Sequence, residues 1–274
     1  MGNLRFDAYS ATTTEARRDD LLNLLWTRGD EVRAGRGYHR FAERFAVVDP
    51  SGDEVGSVSS GGSHGERLLI EVKGERTPAV VEAIRGRYGH RCTRLDSCVD
   101  FERPGAFEEL LAPVLAVKEE FDIFGERRGD WDKPEEGRTM YLGAPSSAVR
   151  FRLYEKGKHP QLRHLGRFDL VRAELEVRPK KDARDVFASV SPSDAWGASR
   201  WTRALAGELL GQMLDPVPPG TVWKPTKRDQ ALRWLVRQYG PHLVSLAEDL
   251  GGWECVGLTL REMISEEKKH AQLH

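Results

Sequence analysis

The chain has 274 residues, of which 39% are hydrophobic and 31% are charged, with a formal net charge of −1. These values describe a soluble globular protein that can bury a real core, as one large or two modest domains. No apolar run approaches the roughly 18 residues of a membrane helix, and the N-terminus lacks a signal pattern, so we expect a cytoplasmic location. The three cysteines are odd in number and lack metal-type spacing, which argues against a disulfide framework or a zinc site.

The first ninety residues alternate between predicted strands and helices. Residues 3–14 read as a strand, and Thr14 is a candidate cap for a helix from Glu15 to Trp26. A second helix is predicted from Thr77 to Tyr88, with Pro78 in its first turn. The predicted strands between these helices are Tyr38–Val48, Glu54–Ser59 and Leu68–Lys73.

The next ninety residues repeat this order. A strand is predicted at Arg94–Glu102 and a helix at Gly105–Lys118. The acidic stretch 119–137 reads as a loop with one short strand, and three more strands are predicted at 138–143, 149–156 and 170–178.

After Pro179 the pattern becomes helical. The predicted helices are Asp182–Ala188, Trp196–Leu214, Lys227–Tyr239, Pro241–Leu250 and Thr259–His270. We therefore predict an α+β fold with an antiparallel sheet, helices on one side of it, and two similar strand–helix halves. The predicted domains are a sheet domain, residues 1–180, and a helical C-terminal region, residues 181–274.

Polar residues at alternate positions give several of these strands a polar face, because side chains two apart on a strand share a face. The sets are Asp96, Cys98 and Asp100; Glu174 and Glu176; and Arg152, Tyr154 and Lys156. If these strands pair in one sheet, carboxylates and a tyrosine converge. Hard cations such as Mg²⁺ and Mn²⁺ prefer carboxylate oxygens, and a tyrosine beside such a metal suits covalent attack on a phosphodiester.

Charge is unevenly distributed around these strands. Residues 102–136 carry 5 Lys/Arg and 11 Asp/Glu, whereas residues 138–184 carry 12 Lys/Arg and 5 Asp/Glu. Basic surface beside metal-type carboxylates suits a phosphate-backbone substrate. The alternative is a solvated charged surface, in which Arg94, Arg172 and Arg178 simply pair with the carboxylates across strands.

Three segments resemble the trans-acting rolling-circle replication initiators of plasmids, filamentous phages and integrative elements. Thr93-Arg94-Leu95-Asp96 with Val99-Asp100-Phe101-Glu102 is similar to the strand that opens the catalytic half of that family. Met140-Tyr141-Leu142-Gly143 with Arg152-Leu153-Tyr154-Glu155-Lys156 is similar to its tyrosine segment, and Arg172-Ala173-Glu174-Leu175-Glu176-Val177 to its acidic strand. The resemblance covers roughly residues 4–250, and the three motifs in this order make it fairly specific.

This resemblance implies a bacterial DNA nickase and strand transferase of the rolling-circle endonuclease fold. Tyr154 would attack a phosphodiester at the origin, remain joined to the 5′ phosphate and free a 3′-hydroxyl, with Lys156 as a phosphate clamp. The metal, Mg²⁺ or Mn²⁺, would be held by acidic residues. The implied ligands are Asp96, Asp100, Glu174 and Glu176. Glu155 departs from the Asn that many plasmid members carry after the tyrosine, and a regular strand would turn it away from the site.

The expected partners are double-stranded and exposed single-stranded origin DNA, with a host helicase by resemblance and no membrane. The candidate DNA contacts are Arg152, Lys158, Arg172, Arg228 and Arg233. The last two belong to a basic helix, residues 224–237, that is a candidate reader of the origin; the basic loop Gly157–Arg167 is the other candidate. Two further functions stay open: a DNA-binding regulator that lost nicking, and a metal-dependent phosphoesterase that uses water instead of Tyr154.

Overall fold

The structure is a computed structural model that describes residues 3–220 and 227–271, without the side chains of Pro134 and of residues 227–231, 233 and 266–271. Its strands are β1 (Arg5–Thr13), β2 (Glu31–Arg36), β3 (Glu43–Val48), β4 (Glu54–Ser60), β5 (Leu68–Lys73), β6 (Arg91–Glu102), β7 (Gly125–Gly129), β8 (Arg138–Leu142), β9 (Val149–Tyr154) and β10 (Leu170–Val177). Its helices are α1 (Arg18–Leu25), α2 (Thr77–Arg87), α3 (Ala106–Glu120), α4 (Ala183–Phe187), α5 (Arg200–Leu210), α6 (Lys227–Leu250) and α7 (Trp253–Ala271).

The ten strands form one antiparallel sheet in the order β2-β3-β4-β5-β1-β6-β10-β9-β8-β7. The first five strands occupy one side of the sheet and the last five the other, with β1 and β6 paired at the centre. In chain order, each half has one strand, one helix and then four strands, so the two halves have the same order of elements. The predicted pair of similar halves is therefore present as a repeated topology.

One face of the sheet is covered and the other is open. Apolar side chains from alternate strand positions, such as Val99, Phe151 and Leu175, join one core with side chains from α1, α2, α3, α4 and α5. Burial of this apolar surface provides the main stabilisation. The opposite positions carry the polar and charged residues, and we call that side the open face. The predicted α+β fold, an antiparallel sheet with helices on one side, is confirmed.

Most predicted strands are present, but β2 was not predicted. All six of its residues are exposed and the strand lies at the edge of the sheet, so it lacks the alternation of apolar residues that marks a half-buried strand. The strand predicted from Tyr38 begins only at Glu43, because His39 and Arg40 adopt positive φ angles of 53° and 70° in a turn.

Several helices differ from their predicted bounds. Helix α1 begins at Arg18 rather than Glu15. Helix α5 begins after Ser199, whose hydroxyl accepts a hydrogen bond from the Thr202 amide at 3.2 Å, and ends at Gly211 with φ 63°. Helix α6 continues through Pro241, where a break was predicted.

The chain divides into two compact units, Met1–Val222 and Trp223–His274. The suggested boundary after residue 180 falls earlier than this division. Helices α4 and α5 contribute Phe187, Leu205 and Leu209 to the core of the sheet, so they are part of the first unit. The second unit is the pair α6 and α7, with Ala247 and Val256 buried. Within the described ranges, no helix is both long and apolar enough to cross a membrane.

Candidate active site

The predicted polar positions converge on the open face at the centre of the sheet. In strand β10, Arg172 lies opposite Asp100 of β6 and Tyr154 of β9. Two residues further along, Glu174 lies opposite Cys98 and Arg152. This regular register brings the tyrosine and the carboxylates of three neighbouring strands onto one surface.

Tyr154 lies half-buried with its hydroxyl directed at a carboxylate. The hydroxyl donates a hydrogen bond to Glu174 Oε2 at 3.2 Å, and the guanidinium of Arg152 lies 4.8 Å from the centre of the phenol ring. Burial raises the pKa of Tyr154 well above its ordinary value, and the nearby Glu174 charge raises it further, while Arg152 opposes the shift. The phenol therefore needs a base to become a nucleophile.

Glu174 is the group placed to act as that base. It is buried, and Arg152 donates from Nε to its Oε1 at 2.9 Å and from Nη2 to the same oxygen. Burial raises the pKa of the Glu174 carboxyl; the Arg152 charge opposes this shift, and the carboxylate of Asp96 adds to it. A carboxylate with a raised pKa is a stronger base than an exposed one.

A second carboxylate group surrounds Arg94, near the Glu174–Arg152 pair. Arg94 donates to both oxygens of buried Asp96, at 2.8 and 2.6 Å, and its Nη2 lies 3.0 Å from Glu176. Burial raises the pKa of Asp96 despite the opposing Arg94 charge. Arg178 also pairs with Glu176. These carboxylates pair with arginines, as the alternative considered from the sequence proposed. The Arg94–Glu176 pair joins two strands, whereas Arg94–Asp96 and Arg178–Glu176 each join residues two apart in the chain.

Arg172 was predicted to contact DNA, but it is 1% exposed and holds other side chains in place. It donates to both oxygens of Asp100, at 2.5 and 2.8 Å, and its Nη1 lies 2.6 Å from Asp7. Arg5 donates to Asp100 at 2.7 Å. Burial alone would raise the pKa of Asp100, but hydrogen bonds from Arg172 and Arg5 outweigh it and lower the pKa to about 2.

Asp100→Asn is expected to destabilise the protein by about 2 kcal/mol at neutral pH, because it leaves the buried Arg172 with less compensating charge. Since the pKa of Asp100 is lowered on folding, its contribution is complete above the ordinary Asp value near 4 and is lost as the pH falls toward about 2. Urea unfolding of both proteins at pH 7, 4 and 3 measures this. A stability difference that does not shrink between pH 4 and 3 would contradict the assignment.

The predicted metal ligands do not form a metal site in this arrangement. Asp96, Asp100, Glu174 and Glu176 are each paired with at least one arginine. Within residues 3–220 and 227–271, no three His, Cys, Asp or Glu side chains are grouped so that they could hold a metal ion. The four carboxylates belong to three ion-pair groups: Asp100 with Arg172, Glu174 with Arg152, and Asp96 and Glu176 with Arg94. Because each of these carboxylates already pairs with a guanidinium, we derive no chemical step through a metal.

Lys156 follows β9 in a short 3-10 turn, where it is half-buried near Arg172 and Asp100. Burial lowers the pKa of Lys156, and the Arg172 charge lowers it further. Gly157 is required next to it, because a Cβ there would lie 1.7 Å from the carbonyl oxygen of Arg167. The turn thus packs against the far end of its own loop, which fixes Lys156 beside the site.

Glu155 lies away from the site, as the regular strand predicted. It is buried, and it accepts hydrogen bonds from Arg138 Nε at 2.9 Å and from Lys158 Nζ at 2.7 Å. Lys158, a predicted DNA contact, therefore takes part in an ion pair that holds the loop.

The structure describes the side chains of only one of the two segments predicted to recognise the origin, the loop Gly157–Arg167. In the loop Gly157–Arg167, Arg163 pairs with Glu136 at 2.9 Å and Arg167 pairs with Glu102 at 2.5 Å, so both charges are partly neutralised. The side chains of Arg228 and Arg233 lie outside the described part of the structure, and their role stays a prediction.

Sequence reasoning missed Arg5 and Asp7, which complete the ion-pair group of Arg172. Strand β1 has a register shift between Phe6 and Ala8, so its buried positions Phe6, Tyr9 and Ala11 do not alternate. A strict period of two therefore hid which face Asp7 occupies. The available signal was the position of Asp7 between the apolar residues Phe6 and Ala8, which indicates that Asp7 faces away from the core.

No protein-family model and no curated protein matches the chain. Among solved structures, it is similar to the rolling circle replication initiator protein from Geobacillus stearothermophilus. The two share 18% sequence identity over 84% of this chain and 91% of that chain, with a TM-score of 0.50. At this identity the likeness concerns the fold, and it agrees with the resemblance drawn from the three sequence motifs. The chain thus has a fold similar to that of a rolling-circle replication initiator.

Proposed function

We propose that the chain is a replication initiator that nicks and rejoins DNA through Tyr154, starting rolling-circle replication of a plasmid, phage or integrative element. The observation that carries this proposal is the hydrogen bond from the Tyr154 hydroxyl to Glu174, on the open face of an initiator-like sheet. A tyrosine paired with a buried carboxylate has the parts of nucleophilic catalysis: an acceptor for the proton and a nucleophile beside it.

In the proposed first step, Glu174 accepts the phenolic proton as the Tyr154 oxygen attacks a backbone phosphorus. A tyrosine–phosphorus bond forms and the bond from phosphorus to the 3′-oxygen breaks, which leaves a 5′-phosphotyrosine and a 3′-hydroxyl once that oxygen takes up a proton. The charges of Arg152 and Lys156 stabilise the additional negative charge on the phosphate oxygens. Because the exchanged bonds are similar in energy, a 3′-hydroxyl can reverse the step and rejoin the strand without ATP.

Metal dependence, with Mg²⁺ or Mn²⁺, is part of the proposal and comes from the family resemblance. Asp96 and Glu176 are the first candidates for ligands, because the Nη2 atom of Arg94 contacts both carboxylates and so brings them together; Arg178 also pairs with Glu176. When bound, such an ion would polarise a phosphate oxygen.

The proposed function is tested by trapping the covalent intermediate. The protein is incubated with single-stranded fragments of the DNA that adjoins its gene, with Mn²⁺, with Mg²⁺ or with chelator. Denaturing electrophoresis and peptide mass spectrometry then detect a protein–DNA adduct. We expect an adduct on a Tyr154 peptide with either metal and none with chelator. An adduct of equal yield in chelator would contradict metal dependence, and DNA binding without any adduct would favour the non-catalytic regulator.

The water-dependent phosphoesterase makes a different prediction for the same assay. It cleaves the strand but leaves no DNA on the protein, because water rather than Tyr154 takes the phosphate. Labelling the DNA at its 5′ and 3′ ends in turn separates these outcomes. The recruitment of a host helicase and the recognition of duplex origin DNA stay proposals from the resemblance.

A further inference from the structure

A cavity of about 610 Å³ lies on the open face near the centre of the sheet, where residues of both halves line it. Its floor includes Ser10 of β1, Glu71 of β5 and Arg94 of β6, which are neighbours in the sheet register. The loop before β5 and the segment after β10 form further parts of its lining. Nothing in the proposed chemistry uses this cavity.

The charges around the cavity are predominantly positive. Arg67, Arg178, Lys180 and Arg184 line it together with Arg94, whereas Glu71 is the one carboxylate of the lining. Arg94 and Arg178 are already paired with Asp96 and Glu176. For Arg67 and Arg184, in contrast, no acidic partner is present among the residues that the structure describes, and Arg184 donates only to the Pro179 carbonyl, at 3.3 Å.

An aromatic pair lies at the same cavity. The His64 imidazole stacks on Phe41 with their ring centres 4.3 Å apart, and His64 Nε2 donates to the His39 carbonyl at 2.8 Å. These contacts fix the imidazole in position. Cationic side chains beside a held ring are the combination that single-stranded nucleic acid binds, through its phosphates and by stacking of its bases.

The cavity adjoins a second cavity that reaches the candidate active site, because the two share lining residues. Arg94 lines both this cavity and a neighbouring one of about 380 Å³, and that second cavity is also lined by Arg152, the partner of Glu174. A strand that runs from Tyr154 to the basic cavity would pass Arg152 and Arg94. It would also pass the carboxylates that line the second cavity, those of Asp7, Glu54, Glu71 and Asp96.

We propose that this basic cavity binds the single-stranded DNA that flanks the nicked phosphodiester, with Arg67 and Arg184 on its phosphates and His64 against a base. The inference rests on the proposed function for the identity of the nucleic acid. It assigns a DNA-holding role to a surface formed by both halves of the sheet, whereas the proposed chemistry belongs to the second half.

The test measures binding without cleavage, in the Tyr154→Phe background, with a fluorescent oligothymidine of about 20 nucleotides, long enough for a typical single-strand site. Arg67→Ala/Arg184→Ala is expected to weaken binding about 10-fold to 100-fold. It should also lower the slope of log affinity against log salt by about 1.4, since each lost phosphate contact removes roughly 0.7. The matched control, Arg87→Ala/Arg200→Ala, removes two exposed arginines from helices on the covered face and should change affinity less than about 2-fold.

A shorter oligothymidine of about 6 nucleotides, too short to extend far beyond the tyrosine, should bind the cavity variant and its control about equally. Equal affinities and salt slopes for the long probe would overturn the proposal, as would failure of the parent protein to bind that probe. The adduct assay reports separately on the proposed function. If no adduct forms but binding still depends on Arg67 and Arg184, nicking is rejected and the cavity proposal stands. If the adduct forms but binding does not depend on these arginines, only the cavity proposal is rejected.

Discussion

Tyr154→Phe is expected to lower covalent adduct formation by at least about 10³-fold, because phenylalanine keeps the ring and its packing but has no oxygen to bond to phosphorus. The ring remains beside Arg152, and Glu174 keeps its pairing with that arginine, so the fold and DNA binding should persist. Single-turnover adduct formation with end-labelled DNA measures the loss, and thermal unfolding checks that stability has changed by less than about 1 kcal/mol.

Tyr141→Phe is the matched control for this experiment. Tyr141 lies on the neighbouring strand β8, opposite Arg152, and the guanidinium of Arg150 is 4.0 Å from its ring centre. It is thus a second tyrosine beside an arginine on the same part of the sheet, without the hydrogen bond to Glu174. Adduct formation should persist in Tyr141→Phe. Retention of the adduct in Tyr154→Phe together with its loss in Tyr141→Phe would move the nucleophile to β8.

Glu174→Gln is expected to slow adduct formation about 100-fold or more, since it removes the proposed general base while it preserves the size of the side chain. The pH dependence gives a sharper readout than the rate alone. Because the pKa of Glu174 is raised, the carboxyl stays protonated to a higher pH than usual, and only its ionised form can accept the Tyr154 proton. The rate for the unaltered protein should therefore rise with pH through that pKa, and this rise should be absent in Glu174→Gln.

Glu126→Gln provides the control for the loss of a carboxylate. Glu126 of β7 accepts a hydrogen bond from Arg150 at 2.9 Å, much as Glu174 accepts from Arg152, but it is not bonded to a tyrosine. Its replacement should leave the rate within about 3-fold and keep the pH-dependent rise. If Glu174→Gln showed the same rise as the unaltered protein, Glu174 would be a positioning residue for Arg152, and a different group would accept the proton.

The sequence by itself determined the antiparallel sheet, the helices on one side and the identity of the polar face. This was possible because alternation on regular strands assigns a face to each residue: Asp96 and Asp100, Glu174 and Glu176, and Arg152 and Tyr154 all lie where a period of two puts them. The same reasoning did not predict the edge strand β2, because its residues are exposed and carry no apolar alternation. It also did not assign the faces of β1, because a register shift interrupts the period of two.

Only the tertiary structure decided which charges meet. A strand pattern gives the face of Glu174 but not its partners, and the register between β9 and β10 is what places it beside both Arg152 and the Tyr154 hydroxyl. Arg172 is polar in sequence and yet buried, because Asp7 and Asp100 come to it from two other strands. Ion pairs between strands depend on distances of a few ångströms between residues far apart in the chain, and the sequence carries no direct record of those distances.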